Sequence, residues 1–143
     1  MFLLDVNLLI ALCDADHVHR DPAKRWFREN AAAGWATCPL TENALLRIMG
    51  HPAYPGGPGS PWAVMPLLRQ LRSLPGYQFW EDVISLSDSR LFSSLEDIGP
   101  KGLTDIYLLA LAVNRGGRFA TLDTRVDPAV VSGGKRAMVL ISV

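Results

Sequence analysis

The chain has 143 residues, enough for one domain with a real hydrophobic core. Apolar residues make up 49% of it and charged residues 20%, which excludes a disordered chain. Acids and bases balance at 14 each, which disfavours a strong nonspecific polyanion binder but leaves room for a local basic patch.

Phe2–Leu4 is a short apolar run, the pattern of a strand covered on both faces. Asp5 interrupts the apolar segment, and Asn7 can cap a helix that begins Leu8-Leu9-Ile10. This turn puts Asp5 at the strand's carboxyl end, where open parallel sheets place their ligand sites. A buried carboxylate needs a partner; Asp5 suits a helix cap and a functional acid equally well. Cys13 to Arg20 is a polar connection, and Asp21-Pro22 opens an amphipathic helix to about Ala33. Ala23, Trp26, Phe27 and Ala31 share its inner face. Arg20, Lys24, Arg25 and Arg28 read first as a solvated face and second as a nucleic-acid contact.

Trp35 to Cys38 is a second strand, ended by Pro39. Thr41 caps the next helix, which keeps period through Ala44, Leu45, Ile48 and Met49 and stops at Gly50. Glu42 sits in its first turn, where the helix dipole alone favours an acid, and Arg47 lies further along it. His51 to Pro61 is a Pro- and Gly-rich loop. Val64, Leu67, Leu68, Leu71 and Leu74 form a helical stripe, with Pro66 marking a kink or a start. Tyr77 to Trp80 suits an edge strand, and Asp88 opens a helix carrying Leu91, Phe92 and Leu95. Thr104 caps a helix from Asp105 to about Arg115 that is apolar almost all round, hence buried on several sides. Arg118 to Leu122 is a strand followed by Asp123, and Ala137 to Val143 is the last strand.

Alternating strands and helices imply an α/β fold, a parallel sheet covered on both faces, as one domain over residues 1–143. Cys13 and Cys38 lie in apolar elements and read as buried free thiols of a reducing cytoplasm. Neither has a zinc-site spacing, and His17, His19 and His51 lack the HxxxH pattern. The N-terminus has no signal-peptide pattern, and no apolar run is long enough to span a bilayer. There is no GxGxxG or GxxxxGK[ST] phosphate loop. Trp26, Phe27, Trp62 and Trp80 exceed what one core holds, which points to an apolar docking face.

Asp5, Glu42, Asp105 and Asp123 share one kind of position, the carboxyl edge of the sheet. Each has a reading as a cap. Together in one cleft they would repel and raise each other's pKa, and a divalent cation resolves that. An all-oxygen set suits Mg²⁺ or Mn²⁺, and such clusters perform phosphoryl-transfer chemistry. Asn7, Thr104 and Thr121 are polar neighbours placed to orient the acids or a water; capping and ordinary strand polarity are their other roles.

The blocks Leu3 to Leu12, Thr37 to Asn43, Leu103 to Ala112 and Phe119 to Asp123 resemble the acid-bearing blocks of PIN-domain proteins, above all the VapC-type toxins of bacterial toxin–antitoxin pairs. They recur in that family's order over nearly the whole chain. The resemblance implies a three-layer α/β/α fold with a central, mainly parallel sheet. It implies an endoribonuclease dependent on Mg²⁺ or Mn²⁺, a homodimer, and inhibition by a small cognate VapB-like antitoxin. By resemblance Asp5, Glu42, Asp105 and Asp123 take the metal-site roles, with Asp127 a nearby competitor for the variable fourth acid. An RNA substrate near an anionic cleft needs a positive rim, for which Arg20, Lys24, Arg25, Arg28 and Arg47 are the candidates. A haloacid-dehalogenase-like phosphatase would want an Asp where Asn7 stands, and a receiver domain would want a lysine better placed than Lys135. A catalytically silent binding module of the same fold has no need of four acids.

Overall fold

Side chains along an extended strand alternate across a sheet, and the opening strand β1 (Phe2–Leu4) uses that alternation to feed two cores. Phe2 and Leu4 pack into one, Leu3 into the other. The structure, a computed structural model, describes residues 1–143. Its remaining strands are β2 (Trp35–Thr37), β3 (Tyr77–Phe79), β4 (Arg118–Thr121) and β5 (Met138–Leu140). All pairings are parallel and the order is β3-β2-β1-β4-β5. The register sets Phe2 between Trp35 and Arg118, and Leu3 between Ala36 and Phe119.

The helices are α1 (Val6–Cys13), α2 (Arg20–Asn30), α3 (Pro39–Met49), α4 (Pro61–Arg72), α5 (Leu103–Asn114) and the single-turn α6 (Gly134–Ala137). Residues of α1 to α4 fill the first core, around Leu8, Leu9, Trp35, Leu45 and Val64. The second core is built on α5, with Leu108, Leu109 and Leu111 against Leu3, Ala36 and Phe119. The sheet is therefore the middle layer of a three-layer α/β/α arrangement. Strand order reverses between β1 and β4, so their connections leave in opposite directions and open a crevice at the carboxyl edge.

The two cores absorb most of the aromatic excess: Trp80 is buried, and Trp26 and Phe27 pack on the first core. Only Trp62 of that group stands out, 74% exposed, with Arg69 over its ring. Several helix starts fall two or three residues from where sequence puts them. α1 begins at Val6 with Asp5 as its N-cap residue, so Asn7 lies inside the helix, exposed. α3 begins at Pro39 after Cys38, and Thr41 closes the turn backwards, its Oγ1 accepting the Cys38 N–H at 2.9 Å. α5 begins at Leu103, directly after a short 3-10 turn (Pro100–Gly102), so Thr104 is not its cap. Pro66 lies inside α4, which starts five residues earlier behind Ser60.

Gly50 ends α3 through close packing, not a left-handed turn, since its φ is −83°. A Cβ there would collide with the Leu46 carbonyl and Pro61.

The expected helix at Asp88 does not form. Asp88 Oδ1 accepts the Arg90 N–H at 2.9 Å and its other oxygen pairs with the Arg90 guanidinium at 2.9 Å. Such local side-chain bonds compete with a helix. Phe92 pairs instead with Val131 in an antiparallel bridge.

Candidate active site

The sheet edge places Asp5 and Asp123 on the two strands that flank the crevice. Asp5 follows β1 and is 2% exposed. It makes no side-chain cap bond to α1; its Oδ2 accepts the Thr121 hydroxyl at 2.6 Å. The same hydroxyl oxygen accepts the Asp123 N–H at 3.0 Å. Thr121, fully buried at the end of β4, thus fixes two acids from one atom. Burial pushes the Asp5 carboxyl above the ordinary carboxylate value. The Thr121 bond and the neighbouring Val6 N–H draw it part of the way back, while the charge of Asp123 adds to the push.

Asp105 stands in the first turn of α5. The helix dipole there favours an anion by about 0.3–1 kcal/mol. Burial outweighs it, joined by the charges of Asp5 and Asp123, and the carboxyl is pushed up to about 7 despite the opposing charge of Arg125. Asp123 goes the other way. Arg125 grips it at both oxygens, Nε to Oδ1 at 3.0 Å and Nη2 to Oδ2 at 2.9 Å, and holds its carboxyl below the usual range. Asp127 is exposed and spends its Oδ1 on the Ala129 N–H, capping a short turn at Pro128–Val130.

Glu42 is buried near the end of β2 and is ion-paired with Arg72 at 3.0 Å. Arg72 lies over the rings of Tyr77 and Phe79, 5.2 and 5.3 Å from their centres. Burial raises the Glu42 carboxyl and Arg72 opposes it. The acids that act on one another are therefore Asp5, Asp105 and Asp123, while Glu42 answers to an arginine from α4.

Of the polar neighbours, Thr121 alone touches the acids. Asn7 and Thr104 are exposed. Arg20 donates to the Leu12 carbonyl at 3.1 Å, in the last turn of α1, away from Asp5. Lys24, Arg25 and Arg28 are exposed on α2, and Arg47 is exposed on α3. The cations at the acids are Arg125 and Arg72, with Lys101 just before α5 lining the same cavity as Asp105 and Asp123. Sequence reasoning passed over all three. Arg125 had a local signal, an arginine two residues after an acid at a strand end. Arg72 had none, since 30 residues separate it from Glu42.

The donor set fits a hard divalent cation. Asp5, Asp105 and Asp123 offer only carboxylate oxygens, and the charge crowding at Asp105 is what such an ion would relieve. As placed, no three of the acids, histidines or cysteines close on one point at ion-binding distance; Arg125 and Arg72 hold two of the acids turned toward themselves.

A parallel sheet of this order, layered by helices and edged by acids at its switch point, is a PIN-type α/β/α domain. The chain is 38% identical to Ribonuclease VapC44 of Mycobacterium tuberculosis (strain H37Rv) over 134 residues, 94% of each chain. It is 40% identical to Ribonuclease VapC38 of the same strain over 127 residues, 88% of this chain and 87% of the relative. Ribonuclease VapC39 matches at 35% over 131 residues, 92% and 94% of the two chains. The chain belongs to the VapC ribonuclease family. No family model matches it. Its fold is similar to the crystal structure of VapBC2 from Rickettsia felis bound to a DNA fragment from its promoter, with a TM-score of 0.64 at 12% identity over 99% of this chain and 98% of the other.

Proposed function

We propose that this protein is a metal-dependent endoribonuclease that hydrolyses RNA phosphodiester bonds, the toxin of a type II toxin–antitoxin pair. The observation that carries the reading is the crowding of Asp5, Asp105 and Asp123 in the crevice of a chain so close to named ribonucleases. Asp5, Asp105 and Asp123 would hold Mg²⁺ or Mn²⁺, with Glu42 as a fourth acid when Arg72 releases it. When bound, such an ion activates a water and stabilises charge developing on the phosphate. The chain's own part is positioning. Thr121 holds Asp5 and the Asp123 backbone in one rigid unit, and Arg125 is free to exchange Asp123 for a phosphate once a stronger cation takes the carboxylate.

RNA approaches over a cationic rim, to which Arg20, Lys24, Arg25, Arg28 and Arg47 contribute at long range and Lys101 and Arg125 at short range. Residues 1–143 act as one domain in our reading, which pairs with a second copy and with a small antitoxin in the cytoplasm. The antitoxin assignment is supported by the VapBC2 complex among similar folds. No helix is long and apolar enough to cross a membrane. The test is incubation of purified protein with assorted structured RNAs, with and without Mn²⁺, and mapping of the cut ends. Mn²⁺-dependent cuts at discrete positions support the reading; intact RNA under every condition defeats it.

A further inference from the structure

Two irregular connections wall a cavity beside the acids. One runs from β3 to α5 and the other from β4 to α6. They are stapled together: the Ser93 N–H donates to the Val130 carbonyl and the Ser132 N–H to the Leu91 carbonyl, each at 2.9 Å. The first turn of α5 closes a third side. The cavity has a volume of about 360 Å³ and is lined on one flank by Asp105 and Asp123. That is at the small end of ligand pockets, about 300–1,000 Å³, and suits a single nucleotide.

Its lining has three parts of different chemistry. Ile98 and Val130 are half-buried and, over a floor of buried Ile106 and Val126, give an apolar surface that suits a flat ring. Lys101 is exposed at the rim, forms no ion pair, and suits a phosphate. Asp97 is exposed, with its carboxylate neither hydrogen-bonded nor ion-paired in the structure. A carboxylate accepts only, so it favours a base edge made of donors. Guanine presents N1–H and N2–H side by side. Adenine and cytosine set one amino group beside an acceptor, and uracil sets one N–H between two acceptors, which a carboxylate repels.

Resting on the ribonuclease reading above, we propose that this cavity selects the substrate by holding one unpaired guanine nucleotide next to the phosphate that is cut. Asp97 receives its N1–H and N2–H, and Lys101 holds its flanking phosphate. Specific RNA readers take unstacked bases in this manner, on their hydrogen-bonding edges.

The test is a titration of the full-length, metal-free protein with 5′-GMP, IMP, AMP, CMP and UMP, followed by backbone amide shifts. GMP should move the amides of Ser94, Lys101 and Val126 and bind about tenfold tighter than IMP, which lacks the N2 amine, since a hydrogen bond to a charged group is worth that much. Asp97→Asn should erase the preference for GMP, and Lys101→Ala should weaken all five alike. Asp97 has no partner to lose, so its replacement leaves the fold in place. Equal binding of the five nucleotides, shifts confined to other surfaces, or a guanine preference that survives Asp97→Asn would each overturn the assignment. The two readings fail separately. A missing guanine preference defeats the pocket even when RNA is cut, and uncut RNA defeats the ribonuclease even when GMP binds here.

Discussion

Asp105→Asn should make the metal-free protein more stable at pH 8 and leave it nearly unchanged at pH 4. The Asp105 carboxyl is pushed from an ordinary 3.8 to about 7 in the folded protein. The folded state therefore holds this proton more tightly than the unfolded chain. Its contribution to stability is fully present below pH 3.8 and is lost as the pH rises through about 7. Each tenfold change in proton affinity is worth about 1.4 kcal/mol, which sets a ceiling of about 4 kcal/mol for the whole effect. Asp105 is only half-buried, and solvent screening reduces this to about 1–2 kcal/mol. Asparagine carries no charge at either pH, so it removes the slope. The assay is urea unfolding in EDTA at several pH values, comparing the two proteins at each. The wild type should lose about 1–2 kcal/mol more than the variant between pH 4 and pH 8. Parallel pH profiles, or a wild type that gains on the variant toward pH 8, would refute the crowding of Asp5, Asp105 and Asp123 on which the site rests.

Asp5→Asn should lower RNA cleavage about 100-fold or more while the protein stays folded; a variant that unfolds, with a wild type indifferent to Mn²⁺, makes Asp5 structural. Thr121→Val keeps the shape but leaves Asp5 without its hydroxyl donor and the Asp123 N–H without its acceptor; thermal unfolding should show a loss of about 1–3 kcal/mol, and cleavage should drop with it. Arg125→Ala should raise the carboxyl pKa of Asp123 toward its ordinary value and that of Asp105 still higher, since Arg125 lowers both; carboxyl carbon resonances titrated without metal read this directly, and unmoved midpoints count against the ion pair in solution. Matched RNA and single-stranded DNA, compared over a salt series, should show RNA preferred and affinity falling with salt as counterions are released; equal cutting of both sinks the RNA assignment.

The layered architecture and the edge on which the acids sit are legible in the residues alone. Phe2–Leu4, Trp35–Thr37 and Arg118–Thr121 are short runs with little but apolar or β-prone side chains, and a run buried on both faces has few alternatives to a central strand. Asp5 and Asp123 follow two of those runs within two residues, and Glu42 lies in the first helical turn after Trp35–Thr37, so their shared edge follows from chain direction once the strands are parallel. Asp105 is marked the same way, as the one acid heading an all-apolar helix. Which charges meet depends instead on packing between distant segments. The Thr121–Asp5 bond joins residues 116 apart and the Arg72–Glu42 pair residues 30 apart, and no local pattern encodes either. The stretch after Asp88 has a helical apolar spacing, yet Phe92 is drawn to Val131 across the fold. Local propensity is worth tenths of a kcal/mol per residue, whereas burying a phenylalanine is worth about 1.5–3 kcal/mol. Where the two disagree, the distant contact wins, and here it wins at the wall of the cavity beside Asp105 and Asp123.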